Sequence, residues 1–184
     1  SEVEEVEKEL RELIREDKER LDRLRKELKE SIDTNKEKLD RVKEDLERLI
    51  EEIREEARRR NIDKETMDRL DEKLRRLKKE LEEVIKDSRK KLEELLDELR
   101  KVVEENKRRL DEVEKELKEV KKLKDRERLT KLVEKIREVL ERSKEHSERV
   151  AKKIRDELDK LHKETERVDR KLKTEARRLK EELR

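Results

Sequence analysis

Hydrophobic residues recur along the first third of the chain at steps of three and four positions, of which the steps of four are the more frequent. The pattern begins at Val3, Val6 and Leu10 and continues to Ala57. Five such steps make up an 18-residue repeat, a period of about 3.6, which is the pitch of a straight α-helix and not the roughly 3.5 of a left-handed supercoil. Charged residues fill the opposite face. This stretch is therefore predicted to be one amphipathic helix with a single apolar stripe.

Two further stripes keep the same 18-residue repeat, from Leu70 to Val120 and from Leu129 to Leu183. At about 100° per residue, the third stripe begins roughly 110–120° away from the direction of the second. A single continuous helix over both stripes would break the apolar face at that point. The change of phase therefore predicts a turn between them.

Local signals mark the two turns unequally. At the first turn, Asn61 is suited to a left-handed cap, Asp63 to an N-cap, and Ile62 and Met67 to the two positions of a hydrophobic staple. At the second turn there is neither Gly nor Asn, and Asp125 is the candidate N-cap. Basic residues precede both turns, as helix C-termini favour.

The sequence therefore predicts an all-α fold, a single-chain, up-down-up antiparallel three-helix bundle of straight helices of about 58 residues each. We expect one domain over residues 1–184. The predicted helices and turns lie at about 2–60, 61–63, 64–122, 123–125 and 126–183, by the stop and start signals above.

Polar residues interrupt the stripes at matching levels. Folding the chain back at residues 61–62 and again near Lys124 brings together two sets, which we call the polar layers. The first polar layer is Asp17, Asn106, Ser143, His146 and Ser147. The second polar layer is Asn35, Ser88, His162 and Thr165, with Ser31 as a further candidate. These residues are predicted to form a structural polar network.

A buried polar group without a partner costs about 1–3 kcal/mol, so the layers would penalise any shift of one helix against another. A buried Asn specifies register in coiled coils in the same way. The alternative is that some of these side chains lie at the edge of the stripe and contact water. His146 and His162 are placed about 80° from the centre of the stripe, which leaves both partly exposed.

Composition excludes several classes of function. Of 184 residues, 64% are charged, no residue is Gly, Pro, Cys or aromatic, and the formal net charge is +2. Regular apolar spacing argues against a disordered chain. The acidic N-terminal stretch is not expected to be a signal peptide, and the sequence has no membrane-spanning run and no basic stripe or stacking aromatic for nucleic acid. We expect a soluble protein that binds neither membrane nor nucleic acid, cytoplasmic when expressed in a host.

Metal and catalytic sites are not indicated by the spacing of the polar residues. His146 and His162 lie about 24 Å apart along a helix, too far to share one ion. Asp159 and His162 resemble half of a di-iron motif, without its second copy. Ser147, His146 and Asp17 share a layer, but a packed bundle offers no oxyanion donors. We expect no enzyme, metal or cofactor.

A proton-responsive module is the alternative function, because buried histidines can bias a bundle between two states. The sequence leaves open whether stability would fall at low pH or at high pH. A neutral, desolvated His loses stability as the pH falls, whereas His146 paired with Asp17 would lose it as the pH rises. Two histidines couple at most about 8 kcal/mol to pH, against more than about forty stripe residues of roughly 1.5–3 kcal/mol each. A large response is therefore not expected.

The absence of Gln and aromatics, the Glu/Lys/Arg-rich surface, the 18-residue repeat and the matched layers together resemble computationally designed helical bundles with buried hydrogen-bond networks. The resemblance covers the whole chain and departs from that family at the second turn, which lacks Gly. It implies a hyperstable scaffold without natural function, localisation or partner, monomeric unless it self-associates. Natural three-helix spectrin repeats are the alternative, and they carry the core aromatics and Gln missing here.

Overall fold

Three long helices contain nearly all of the residues that the structure describes. The computed structural model describes residues 2–120, 122–123 and 126–184. Helix α1 spans Glu2–Arg59, α2 spans Lys64–Val120 and α3 spans Arg126–Glu182. None of the described residues lies in a β-strand. The prediction of an all-α three-helix bundle is confirmed.

Each helix carries charges that suit its ends. Acidic residues lie in the first turn of all three helices and basic residues in the last turn, where they oppose the helix dipole. Straight-chain Glu, Lys, Arg and Leu lose little side-chain freedom in a helix, so these long segments need no Gly or Pro interruption. None of the described helices is apolar over a stretch long enough to cross a membrane.

The turn between α1 and α2 uses the residues expected from the sequence. Asn61 has a φ of 56°, in the left-handed region, and its N–H donates to the carbonyl of Arg58 at 3.2 Å. The carboxylate of Asp63 accepts a 3.3 Å bond from the N–H of Thr66, as an N-cap does. A hydrogen bond to Thr66 holds the pKa of Asp63 below its ordinary value.

The predicted second turn at 123–125 lies mostly outside the described residues. Lys124, where the chain was expected to fold back, and Asp125, the predicted N-cap, are both among the residues not described. The described helix ends on either side are Val120 and Arg126. The single domain over residues 1–184 stays a prediction.

Contacts divide the chain into two compact units. Unit 1 comprises Ser1–Glu30 and Leu95–Asp156, and unit 2 comprises Ser31–Glu94 and Glu157–Arg184. In unit 1 one cluster of the buried core includes Leu10, Ile14, Leu21, Leu110, Val113, Leu117, Ile136 and Leu140. In unit 2 the fully buried side chains include Ile32, Leu39, Leu46, Ile53, Leu74, Leu81, Leu92 and Leu172. These core residues lie on the predicted stripes except Ile14, which is buried where the stripe placed its neighbour Leu13, and Leu13 is only partly buried.

Ion pairs show that α1 and α3 run in the same direction. In unit 1, Arg137 pairs with Glu9 at 3.3 Å and Arg155 with Glu27 at 3.2 Å. Both pairs are separated by 128 residues. A constant separation in sequence means that the two helices advance together.

Helix α2 runs opposite to the other two helices. In unit 1, Lys135 pairs with Glu116 at 3.1 Å and Lys153 with Glu98 at 3.0 Å. Here the separation grows from 19 to 55 residues, as it must between antiparallel helices. Within unit 2, the pair Lys171–Glu80 follows the same series, one further repeat along each helix. The 18-residue repeat therefore extends from the apolar stripe to the charged contacts.

Candidate functional site

A buried hydrogen bond between two helices lies at the centre of the first polar layer. Asn106 of α2 and Ser143 of α3 interrupt their stripes, and both are 0% exposed. The Ser143 hydroxyl donates to Asn106 Oδ1 at 2.9 Å, and Asn106 Nδ2 donates to the carbonyl of Val102 at 2.7 Å. Asn106 Nδ2 also lies 3.4 Å from Nδ1 of the half-buried His146. Both polar atoms of the amide therefore have partners despite complete burial.

A second group of contacts in the same layer joins α1 to α3. Arg20 Nη2 donates to the hydroxyl of the buried Ser147 at 3.1 Å, and its Nη1 lies 3.0 Å from Glu148. The Ser147 hydroxyl in turn donates to the carbonyl of Lys144 at 3.0 Å. Arg20 Nε is buried, has no hydrogen-bond partner and lies 3.7 Å from Asp17 Oδ1. The guanidinium therefore links α1 to α3 at the level of this layer.

Burial raises the pKa of the Asp17 carboxyl above its ordinary value. The positive charges of Arg20 and Lys144 oppose this change, and the negative charges of Glu141 and Glu16 add to it. Loss of hydration disfavours the ionised carboxylate, and an ion pair at 3.7 Å without a hydrogen bond compensates it incompletely.

The first polar layer therefore consists of two groups. Among the described residues, no hydrogen bond joins Asp17 to Asn106, which the sequence placed at one level. The carboxylate of Asp17 instead lies near Arg20 on its own helix, a charged partner one helical turn away. A cation attracts a partly buried carboxylate more strongly than a neutral amide does. The predicted residues of this layer all lie in unit 1.

The second polar layer makes mostly local contacts. Asn35 Nδ2 donates to the carbonyl of Ser31 at 2.9 Å, and the Thr165 hydroxyl to that of Leu161 at 2.9 Å. Mid-helix Asn and Thr side chains often bond a carbonyl one turn earlier. Asn35 Oδ1 is buried without a partner, and Ser88 is only 4% exposed. Within the described part of unit 2, no hydrogen bond joins Asn35, Ser88 and Thr165 to one another.

His162 provides the contact that crosses between helices in the second layer. Lys38 Nζ of α1 lies 3.0 Å from Nδ1 of the imidazole, and Glu166 Oε1 lies 2.9 Å from Nε2. A neutral imidazole protonated on Nε2 satisfies both neighbours, because Nδ1 then accepts from the ammonium and Nε2 donates to the carboxylate. One third of the His162 side chain is exposed, 33%.

Two cations that the sequence reasoning missed, Arg20 and Lys38, carry the contacts between α1 and α3 in these layers. They lie one repeat apart, as do their acidic neighbours Glu148 and Glu166. They were missed because they flank the stripe and resemble ordinary surface charges. Extending the comparison between repeats from apolar to charged positions would have identified both pairs.

The contacts described for the first polar layer join helices to one another, and they do not connect its Ser, His and Asp as a catalytic triad would. His146 lies beside Asn106, whereas the hydroxyl of Ser147 is bonded to Arg20 and to a backbone carbonyl. Ser147, His146 and Asp17 thus do not line up as a nucleophile, base and acid. In the described ranges, no three His, Cys, Asp or Glu residues are grouped so that they could hold a metal ion.

Comparison with known proteins gives no match: no family model, curated protein or solved structure is similar to the chain.

Proposed function

We propose that this chain is a structural scaffold of computationally designed origin, in which the first polar layer sets the register between α2 and α3. The observation that carries the proposal is the 2.9 Å bond from Ser143 to Asn106, made between two side chains that are 0% exposed. A shift of α3 by one turn, about 5.4 Å, would break this bond and take from Asn106 Oδ1 and the Ser143 hydroxyl the partner that each has on the other helix. The surrounding Leu and Val residues could exchange neighbours at far lower cost.

The 18-residue repeat supports the designed origin. It relates the apolar stripes and also pairs of contacts, for example Arg137–Glu9 with Arg155–Glu27. One repeat is five turns of a straight helix, so equivalent positions face the same direction. One set of side-chain choices is thereby reused along the chain. The scaffold acts as a monomer, without catalysis, cofactor or partner, and its solubility follows from its charged surface.

The test measures helix register directly in solution. The chain has no Cys, so paired nitroxide labels can be placed at the exposed positions Arg109 and Lys131 through Arg109→Cys and Lys131→Cys. Pulsed electron spin resonance then reports one distance between α2 and α3 in the parent protein. In Asn106→Leu/Ser143→Ala we expect a second or broadened distance, displaced by about one turn along the axis.

The matched control replaces a buried apolar residue of the same helix, Leu110→Ile, and should leave a single distance. A doubly substituted protein that is fully helical and retains the parent's single distance would show that the polar layer does not set the register. Loss of helicity in the double variant would also contradict the proposal. The proposal assigns the polar pair to register alone, so the helices should still form when Leu and Ala bury apolar surface at these two positions.

A proton-responsive module is the second candidate, favoured by the position of His162 between Lys38 and Glu166. Protonation would place an N–H against the Lys38 ammonium while adding charge attraction to Glu166, so the two neighbours act in opposite directions. Helicity and mass measured from about pH 8 to about pH 3 in moderate denaturant distinguish the candidates. A transition in helicity or mass within this pH range that His162→Gln abolishes would favour the module over the scaffold.

A further inference from the structure

An unfilled space lies between α1 and α3 in unit 1, near the start of both helices. It is a cavity of about 690 Å³, open to solvent on one side, and its apolar lining is Val3, Val6, Leu123, Leu129 and Val133. Pockets that hold small organic molecules commonly measure about 300–1,000 Å³ and have mainly apolar walls. The size and the lining both fall within that range.

The amino-acid sequence explains why the core is incomplete there. The fully enclosed part of this cluster consists mainly of Leu and Ile, whereas Val3, Val6 and Val133 are only partly buried against it. Val lacks a methylene relative to Leu, so Val at these three lining positions fills less volume than Leu would. Apolar walls in contact with water are the condition under which an apolar ligand is bound favourably.

Charged residues at the rim of the cavity balance one another. Arg126 pairs with Glu2 at 3.1 Å, and Arg137 pairs with Glu9 at 3.3 Å. Glu134 also lines the rim. With two basic and two acidic residues among the lining side chains, no net field of one sign favours an ionic ligand. A neutral molecule carries no charge that would lose its hydration on entering the cavity.

The amount of exposed apolar surface favours a small occupant over a second copy of the chain. Among the described residues, no large hydrophobic side chain is fully exposed. A stable interface between proteins removes roughly 800 Å² of surface from each partner, with a well-packed apolar centre. Five recessed side chains in a cavity do not provide such a surface, but they can surround a molecule of one to three rings.

We infer that the cavity between Val3, Val6, Leu129 and Val133 is a binding site for a small, neutral, apolar molecule of one to three rings. The walls supply dispersion contacts without a specific hydrogen bond. The site is therefore selective for size and for the absence of charge.

The test uses N-phenyl-1-naphthylamine, a neutral probe whose fluorescence rises in apolar surroundings. We expect saturable binding of one probe per chain to the unmodified protein. Val133→Phe places a ring in part of the cavity that the probe would occupy and should abolish this binding. The matched control Val139→Phe changes an equally half-buried Val of the same helix, outside the lining, and should retain it. The sulfonated analogue 1-anilinonaphthalene-8-sulfonate should bind more weakly than the neutral probe.

Methyl resonances of the unmodified protein give a readout that does not depend on any variant folding. Addition of the probe should shift the methyl signals of Val3, Val6, Leu129 and Val133 first. The inference is overturned by non-saturable fluorescence, by binding that survives in a folded Val133→Phe, or by shifts spread evenly over the core. A doubling of mass on probe addition would also overturn it, because the occupant would then include a second chain.

Discussion

Asn106 and Asn35 make the same backbone contact but differ at their second polar atom. Each Nδ2 donates to the carbonyl one turn earlier, at 2.7 Å for Asn106 and 2.9 Å for Asn35. Asn106 Oδ1 accepts a hydrogen bond from Ser143, whereas Asn35 Oδ1 is buried without a partner. One amide thus connects two helices, and the other is satisfied only within its own helix.

The bond between Ser143 and Asn106 predicts strong coupling between two substitutions. Ser143→Ala leaves Asn106 Oδ1 buried and unpaired, which should lower the free energy of unfolding by about 1–3 kcal/mol. Asn106→Leu together with Ser143→Ala removes both polar groups and should recover most of that loss. Urea unfolding followed by circular dichroism measures all four members of the cycle. Additive effects of the two changes would show that the bond contributes no stability.

The raised pKa of Asp17 predicts a pH-dependent effect of Asp17→Asn. Because burial raises the pKa of Asp17 in the folded protein, folding disfavours the ionised carboxylate. The contribution of this group to the free energy of unfolding therefore decreases as the pH rises from the ordinary pKa of Asp through the raised pKa of the folded protein. Asp17→Asn should therefore stabilise the protein at about pH 7, and the gain should vanish at about pH 3.

Urea midpoints of parent and variant at several pH values measure this difference. Asp33→Asn makes the same change of charge at an exposed position and serves as the control. The interpretation of Asp17 fails if its substitution gives the same difference in stability at every pH, or if the exposed control shows the same profile.

The ion pairs of Lys18 are predicted to make a modest, salt-sensitive contribution to the free energy of unfolding. Its ammonium lies 2.8 Å from Asp111 and 2.5 Å from Glu114, and these hydrogen bonds raise the pKa of Lys18 and lower the pKa of Asp111. A partly exposed ion pair usually contributes about 0.2–1 kcal/mol. A double-mutant cycle with Lys18→Met and Asp111→Asn should give a coupling in that range at low salt, decreasing at about 1 M NaCl. A coupling that salt leaves unchanged would contradict this assignment.

The left-handed conformation of Asn61 predicts how the first turn responds to substitution. At a φ of 56°, a residue with a Cβ other than Asn or Asp is disfavoured by roughly 1–2 kcal/mol. Asn61→Ala should therefore lower the free energy of unfolding by about 1 kcal/mol. Asn61→Gly, which tolerates this φ, is the control and should leave stability equal to the parent's or higher. Equal losses in both variants would point to the side chain of Asn61 instead of its backbone.

The sequence could predict which polar residues lie at the same height along the helices, but it could not predict which hydrogen bonds they make. The helical period and the predicted reversal of the chain near Lys124 place Asn106 beside Ser143 with little freedom. The choice between a bond across helices and one to a backbone carbonyl depends on rotamers, which differ by about 1 kcal/mol and leave no trace in the spacing. Arg20 was likewise indistinguishable from a surface charge, because its long side chain reaches inward from the edge of the stripe.

The contrast between the two amides predicts effects of opposite sign for one substitution. Asn106→Leu leaves the buried Ser143 without its partner on α2 and should lower the free energy of unfolding by about 1–3 kcal/mol. Asn35→Leu removes an oxygen that is buried without a partner and adds apolar contact, so it should raise the free energy of unfolding by about 1 kcal/mol. Both variants and the parent are compared by urea unfolding in one buffer. Destabilisation by both substitutions would mean that Asn35 Oδ1 has a partner in solution, such as a bound water between α1 and α2, and would make the second polar layer a determinant of register as well.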